Sequence, residues 1–144
     1  MQINVSIRPG TPDDAGALKA LDSVVPSDPA RAVCIDAWLR DSTVLIAEYE
    51  ERAVGYGVFN HTFFHQGQLE MLMVHPDFRG KRIGEYLVAA LEERCDTPKF
   101  FVTTNLTNHR MQRLLHRMGY KACGYIDALD PDDPELVFVK KIEI

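Results

Sequence analysis

Cysteine is scarce: Cys34, Cys95 and Cys123 are the only three among 144 residues, with no C-x-x-C pair and no histidine at ligand spacing. That pattern argues against a disulfide framework and against a zinc site, and free buried thiols are the expectation. Long apolar runs are missing too, since no window approaches the ~18 uninterrupted apolar residues of a membrane span. Met1 to Pro9 has no basic stretch leading into an apolar one. A cytoplasmic protein without a membrane partner is therefore expected. Neither G-x-x-x-x-G-K-[ST] nor G-x-G-x-x-G occurs, so no ATP or dinucleotide site is indicated. Positive charge is in the minority, with 16 Lys and Arg against 21 Asp and Glu and a formal net charge of −5. The whole protein is thus not expected to bind nucleic acid.

What the chain does have is 46% hydrophobic residues, no internal repeat and no Gly/Ser linker. A chain of this size buries roughly 70% of its unfolded surface, enough for one core without staples. One domain over residues 1–144 is expected. Charge is spread unevenly along it. Between Arg79 and Lys121 nine basic residues face four acidic ones, so the remainder is strongly acidic.

Helix-like and strand-like segments alternate throughout. Ile3, Val5 and Ile7 mark a short strand, and Thr11-Pro12-Asp13-Asp14 opens a helix running to about Leu21. A second helix over 29–40 is expected to place Val33, Ala37 and Trp38 on neighbouring turns. The runs 44–50 and 53–63, parted by the charged Glu50-Glu51-Arg52, read as a hairpin, followed by a strand at 69–74. His61 and His65 would share one face of their strand, about 13 Å apart and too distant for a shared metal. No metal site is expected. Residues 83–95 form an amphipathic helix with Ile83, Leu87, Ala90 and Leu91 inward and Glu85, Glu92 and Glu93 outward. A strand at 100–104, a helix at 108–118 ending at Gly119, and strands at 120–126 and 136–142 around an acidic loop complete the chain. The order βααβββαβαββ predicts a mixed α/β domain, with a crossover from strand 69–74 through helix 83–95 to strand 100–104.

Chemistry concentrates in that crossover. His75 to Gly84 feeds a helix N-terminus that presents unpaired backbone amides, Gly80 and Gly84 allow close approach, and Arg79, Lys81 and Arg82 raise the potential. Such a loop suits a phosphate group; the alternative is an exposed basic turn that caps the helix.

In these residues the sequence resembles the GNAT N-acetyltransferases. Leu72-Met73-Val74-His75-Pro76 before Arg79-Gly80-Lys81-Arg82-Ile83-Gly84 is similar to the family's first motif, and Asn108 to Tyr120 to its second. The resemblance implies a central twisted mixed sheet of about seven strands flanked by about four helices, with acetyl-CoA as co-substrate. It implies that backbone groups of Leu72, Met73 and Val74 pair with the pantetheine arm, and that amides of Arg79, Gly80, Lys81, Arg82, Ile83 and Gly84 hold the pyrophosphate. Asn108 would touch the arm or the acetyl region, cap the helix that follows, or do both. Two positions depart from the family. Arg82 replaces the middle glycine, a change that suits an ordinary negative φ. Leu115 stands where a tyrosine often protonates the leaving thiolate.

Acetyl transfer to an amine needs a base, or a water chain, and a means of stabilising the thiolate. Glu70 is the candidate base, because a carboxylate at a similar place serves several family members; the alternative is a side chain facing solvent. Candidates for the acid are His116, Tyr120 and Tyr125, or no dedicated group. Ribosomal-protein N-terminal acetyltransferases place a Glu five positions before the motif Asn, where this chain has Thr103. The leading expectation is direct transfer from acetyl-CoA to the primary amine of a small-molecule or peptide acceptor. The alternative is a non-catalytic domain that binds acyl-CoA as a sensor or interaction module. Ten acidic against five basic residues in the first 72 mildly favour a cationic amine. Homodimers are frequent in the family, and the closing strands could pair.

Overall fold

The structure, a computed structural model, describes residues 3–143. Seven strands form one sheet: β1 (Ser6–Pro9), β2 (Thr43–Tyr49), β3 (Arg52–Phe63), β4 (Gln66–Val74), β5 (Lys99–Asn105), β6 (Lys121–Ile126) and β7 (Glu135–Lys141). Their spatial order is β1-β2-β3-β4-β5-β7-β6. Among the described residues β4 and β5 run parallel and the other neighbours antiparallel. Four helices cover the sheet: α1 (Ala15–Leu21), α2 (Pro29–Asp41), α3 (Ile83–Glu92) and α4 (His109–Arg117).

Two apolar clusters, one on each face, hold these layers together. On one face Leu18, Leu21, Ile35 and Leu39 of α1 and α2 pack on Ile46, Tyr56, Val58 and Met73. On the other, Ile83, Leu87, Val88 and Leu91 of α3, with Leu114 and Leu115 of α4, pack on Leu45, Val54, Phe100 and Phe138. The inner face of α2 is therefore Ile35 and Leu39, whereas Val33 is 68% exposed. The pattern over 29–40 is weakly periodic: of the three expected residues Trp38 packs against this cluster, whereas Val33 gives way to Ile35 and Leu39.

Both hairpins are tighter than the sequence suggested. The turns at Glu50-Glu51 (φ 51 and 64) and Phe64-His65 (φ 54 and 64) each place two non-glycine residues in the left-handed region. That conformation matches the twist of the flanking strands, and the two-residue loops close without glycine. His65 consequently sits in a turn and does not share a strand face with His61. The His61 ring instead donates from Nε2 to Asp96 Oδ1 at 2.6 Å, and this contact holds the carboxyl of Asp96 below its usual range.

The helix α3 ends at Glu92, short of the expected Cys95, whose buried thiol lies 3.3 Å from Thr97 Oγ1. Glu92 is not turned to solvent. It accepts the Tyr120 hydroxyl at 2.5 Å and Lys140 Nζ at 3.1 Å. Near the first strand, Arg8 grips Asp14 with bonds of 2.7 and 3.0 Å, and the Thr11 amide donates to the same carboxylate at 2.8 Å. These contacts tie β1 to the entry of α1.

The Arg8 guanidinium holds the Asp14 carboxyl below the usual carboxylate range. A lowered value in the folded state stabilises the fold above the unfolded carboxyl's titration and loses that effect as pH falls through the folded value. Asp14→Asn should cost about 1 kcal/mol at neutral pH, discounted for the partial exposure of Arg8. Thermal denaturation of parent and variant should show the gap at neutral pH and its progressive narrowing as pH falls below the ordinary carboxylate range.

Candidate active site

The site begins where two strands part company. β4 and β5 pair only over Gly67–Phe100, Gln68–Phe101 and Leu69–Val102, while β5 continues to pair with β7 as far as Asn105. Beyond Leu69 the edge of β4 that faces β5 has no strand partner. At the same point β4 carries a bulge: Val58 faces Met71 and Phe59 faces Leu69, so Glu70 is the extra residue. Bulges of this kind bend a strand and re-aim its side chains. A cleft of about 870 Å3 lies farther along this open edge, bounded by Leu72, Met73 and Val74, by the N-terminal end of α3 and by one side of α4.

The floor of the cleft is the loop between β4 and α3. Gly80 has φ +80°, and the α3 N-cap Arg82 has φ 65° and ψ 15°. Arg82 therefore adopts a left-handed conformation of the kind that favours glycine, contrary to the negative φ expected. A side chain there costs on the order of 1 kcal/mol. Tyr86 is the first residue to bond back into the helix, to the Arg82 carbonyl at 3.1 Å. The amides of Ile83, Gly84 and Glu85 thus remain available at the positive end of the helix dipole. Gly84 matters for a different reason. A β-carbon on it would lie 3.1 Å from Leu114 Cδ1 and 3.4 Å from Leu72 Cδ2, so its absence lets α4 close against α3.

One wall comes from α4. Asn108 caps this helix, its Oδ1 accepting from the Met111 amide at 3.2 Å, and its Nδ2 has no partner among the described residues. Arg110, Arg113 and Arg117 line the cleft from one stripe of the helix. Arg117 also donates to Glu85 at 2.6 and 2.8 Å. None of these arginines was singled out as a site residue from the sequence. The local basic excess was the available signal, and the stripe at positions i, i+3 and i+7 would have located it. With Arg79 and Arg82, five arginines and one glutamate border the cleft.

The other sequence-predicted residues are distributed as follows. Leu72, Met73, Val74, Arg79, Gly80, Arg82, Ile83, Gly84 and Asn108 come together around the cleft, whereas Lys81 does not line it. The Arg79 side chain reaches away from the α3 N-terminus. Its Nε donates to the Val74 carbonyl at 3.1 Å and its Nη2 to Ser23 Oγ at 3.2 Å, joining the loop to the segment between α1 and α2. Glu70 lies just past the last β4–β5 pair, exposed and outside the cleft lining, with Asn60 Nδ2 at 3.4 Å. His116 is exposed on α4 and stands outside the lining, because one residue's rotation carries it about 100° from Leu115. Leu115 itself is fully buried in the core. Burial pushes the Tyr120 hydroxyl up, reinforced by its hydrogen bond to Glu92. Tyr125 is 69% exposed on β6. Thr103 is half-buried on β5 and provides no carboxylate.

These features suit an elongated polyanion with a peptide-like arm. Open strand edge, free amides and guanidinium groups match, respectively, the amides, pyrophosphate and phosphate of acetyl-CoA. Fold and site together define an acyl-CoA-dependent acetyltransferase. The chain belongs to the GNAT acetyltransferase family, whose profile matches residues 17–120. A GNAT-family acetyltransferase of Bacillus cereus has a TM-score of 0.90 at 22% identity, covering 99% of this chain and 100% of that one. The protein YncA of Salmonella typhimurium, solved with its cofactor acetyl-CoA, has a TM-score of 0.77 at 18% identity over 96% of this chain and 94% of that one. A ribosomal-protein-alanine N-acetyltransferase of Brucella melitensis has a TM-score of 0.77 at 24% identity, covering 94% and 99%. At these identities the likeness is one of fold. A search of curated proteins finds no match. Among the described residues no cluster of His, Cys, Asp or Glu could hold a metal ion, and no helix is long and apolar enough to cross a membrane.

Arg82→Gly separates strain from charge. It should raise the melting temperature by about 1–3 °C through relief of the left-handed side chain. It should also weaken acetyl-CoA by about two- to fivefold through loss of one cleft cation, as read by calorimetry.

Proposed function

We propose that this acetyltransferase moves the acetyl group directly from acetyl-CoA to a primary amine within a ternary complex. The observation that carries the reading is Glu70, the extra residue of the β4 bulge, standing where β4 and β5 part. Acetyl-CoA, when bound, supplies an acetyl thioester with CoA thiol as its leaving group. The open edge at Leu72, Met73 and Val74 offers backbone donors and acceptors to the arm, and Asn108 Nδ2 offers one more donor. The amides from Arg79 to Gly84, with the side chains of Arg82, Arg110 and Arg113, hold the phosphates. Glu70 takes the proton that the amine loses as the C–N bond forms and the C–S bond breaks.

The leaving thiolate has no side-chain acid close by in this reading. His116 lies off the cleft, and the Tyr120 hydroxyl is committed to Glu92. A thiol leaves readily enough for solvent to supply its proton. The acceptor is read as a cationic amine, small molecule or peptide. Support comes from the acidic loop between β6 and β7, fixed beside the start of α4 by Asp130 to Asn105 at 2.9 Å and Asp133 to Thr107 at 2.7 Å. A cytoplasmic location belongs to the same reading, as does a homodimer. All six residues of β6 are exposed at the sheet edge, where a second copy could add.

The test is release of CoA thiol across polyamines, aminoglycosides, amino acids and lysine peptides, with acetyl-CoA affinity measured by calorimetry. Glu70→Gln should lower kcat by about 100-fold or more with little change in acetyl-CoA affinity, and His116→Ala should leave kcat within about twofold. Binding of acetyl-CoA with no thiol release for any amine would favour the non-catalytic acyl-CoA sensor. Absence of binding would exclude both readings.

A further inference from the structure

We propose that Asn60 is the positioning residue for Glu70, held by a hydrogen-bond relay that leaves its amide one orientation. The inference rests on the reading of Glu70 as the base. Asn60 on β3 lies opposite Gln68 on β4, and an irregularity interrupts the ladder on each side of this pair. On one side β4 carries the extra Glu70. On the other, three steps along β3 from Asn60 to Phe63 match two along β4 from Gln68 to Gln66. The second irregularity folds Thr62 back onto Asn60, and the first brings Glu70 alongside it.

Three donors converge on Asn60 Oδ1: the Thr62 amide at 3.2 Å, the Thr62 hydroxyl at 2.8 Å and Gln68 Nε2 at 2.9 Å. Gln68 uses its second amide hydrogen on Thr62 Oγ1 at 2.5 Å, so the donors and acceptors of this group are mutually consistent. Reversing the Asn60 amide would set Nδ2 against the backbone N–H of Thr62, a donor that cannot change role. Nδ2 is therefore turned outward, to Ser42 Oγ at 3.3 Å and Glu70 Oε1 at 3.4 Å. Gln68 is 7% exposed, which shields the inner end of the relay from water.

The consequence for Glu70 is directional. One of its oxygens, Oε1, is occupied by a fixed amide donor, and Oε2 is left as the oxygen that takes the proton. The 3.4 Å separation is at the long end of the hydrogen-bond range, as contacts of catalytic groups commonly are before substrate binds. A long exposed carboxylate otherwise samples several rotamers, and fixing one of them is what a base on a strand edge requires.

Asn60→Asp tests this with little change of shape, because it keeps the acceptor for Thr62 and Gln68, removes the donor to Glu70 and Ser42, and turns a carboxylate oxygen toward Glu70 in place of that donor. With the amine of the panel that turns over fastest, kcat should fall by about 10- to 100-fold while acetyl-CoA affinity stays within about twofold. The same substitution placed in Glu70→Gln should cost no further rate, since its effect passes through Glu70. A readout independent of any acceptor is the side-chain amide of Asn60 in a 1H–15N spectrum. The proton facing Glu70 should lie downfield in the parent and move upfield in Glu70→Gln. An Asn60 resonance unmoved by Glu70→Gln, or an equal loss of rate in both backgrounds, overturns the proposal and leaves Glu70 as the base. If Glu70→Gln does not slow turnover, it is the reading of Glu70 itself that falls.

Discussion

The parting of β4 from β5 is the constraint on which the rest of the molecule turns. Three paired residues hold the two parallel strands together before they diverge, and β5 remains in the sheet by pairing with β7. The backbone groups that β4 presents to this edge are left to water, to Arg79 at the Val74 carbonyl, or to a ligand that takes the place of the missing strand. The bulge at Glu70 bends β4 at the start of the unpaired edge, while α3 and α4 begin on either side of the opening. Cofactor seat and proposed base therefore arise from one interruption of one ladder.

Electrostatics follows the same geometry. A chain with net charge −5 gathers five arginines around a single cleft, three of them from one stripe of α4. Their repulsion is moderated by Glu85, which pairs with Arg117, and it is relieved further by a polyanionic ligand. Arg79 shows that position in a basic motif does not dictate which way a side chain points. It ties the cofactor loop to Ser23 on the opposite face of the sheet. Arg82 shows the converse, a left-handed backbone conformation adopted by a residue that does not favour it.

Much of the fold could be read from residue patterns. Element order, the crossover through α3 and the family motifs at 72–84 and 108–120 were all legible, because period, caps and loop chemistry are local properties. The stripe on α2 was not, since Val33 and Ile35 are equally apolar and only the sheet beneath decides which is covered. Nor was the short span of α3, where Cys95 continues the apolar pattern but the chain has already turned toward β5. The proposed base Glu70 could be placed on its strand, whereas the bulge that makes it the extra residue depends on a register between two strands.

By itself, the sequence determined the α/β class, the family, the basic, glycine-bearing loop that leads into a helix and the part of the chain that carries positive charge. Each of these is encoded in neighbouring residues whose spacing is set by a helix turn or a strand repeat. Only the tertiary structure decided that His116 points away from the cleft while Arg110, Arg113 and Arg117 line it, that Tyr120 is engaged by Glu92, and that Asn60 faces Glu70. The reason is physical. Those relations join residues on different elements, and their directions are set by helix rotation, sheet register and bulges that emerge when the layers pack.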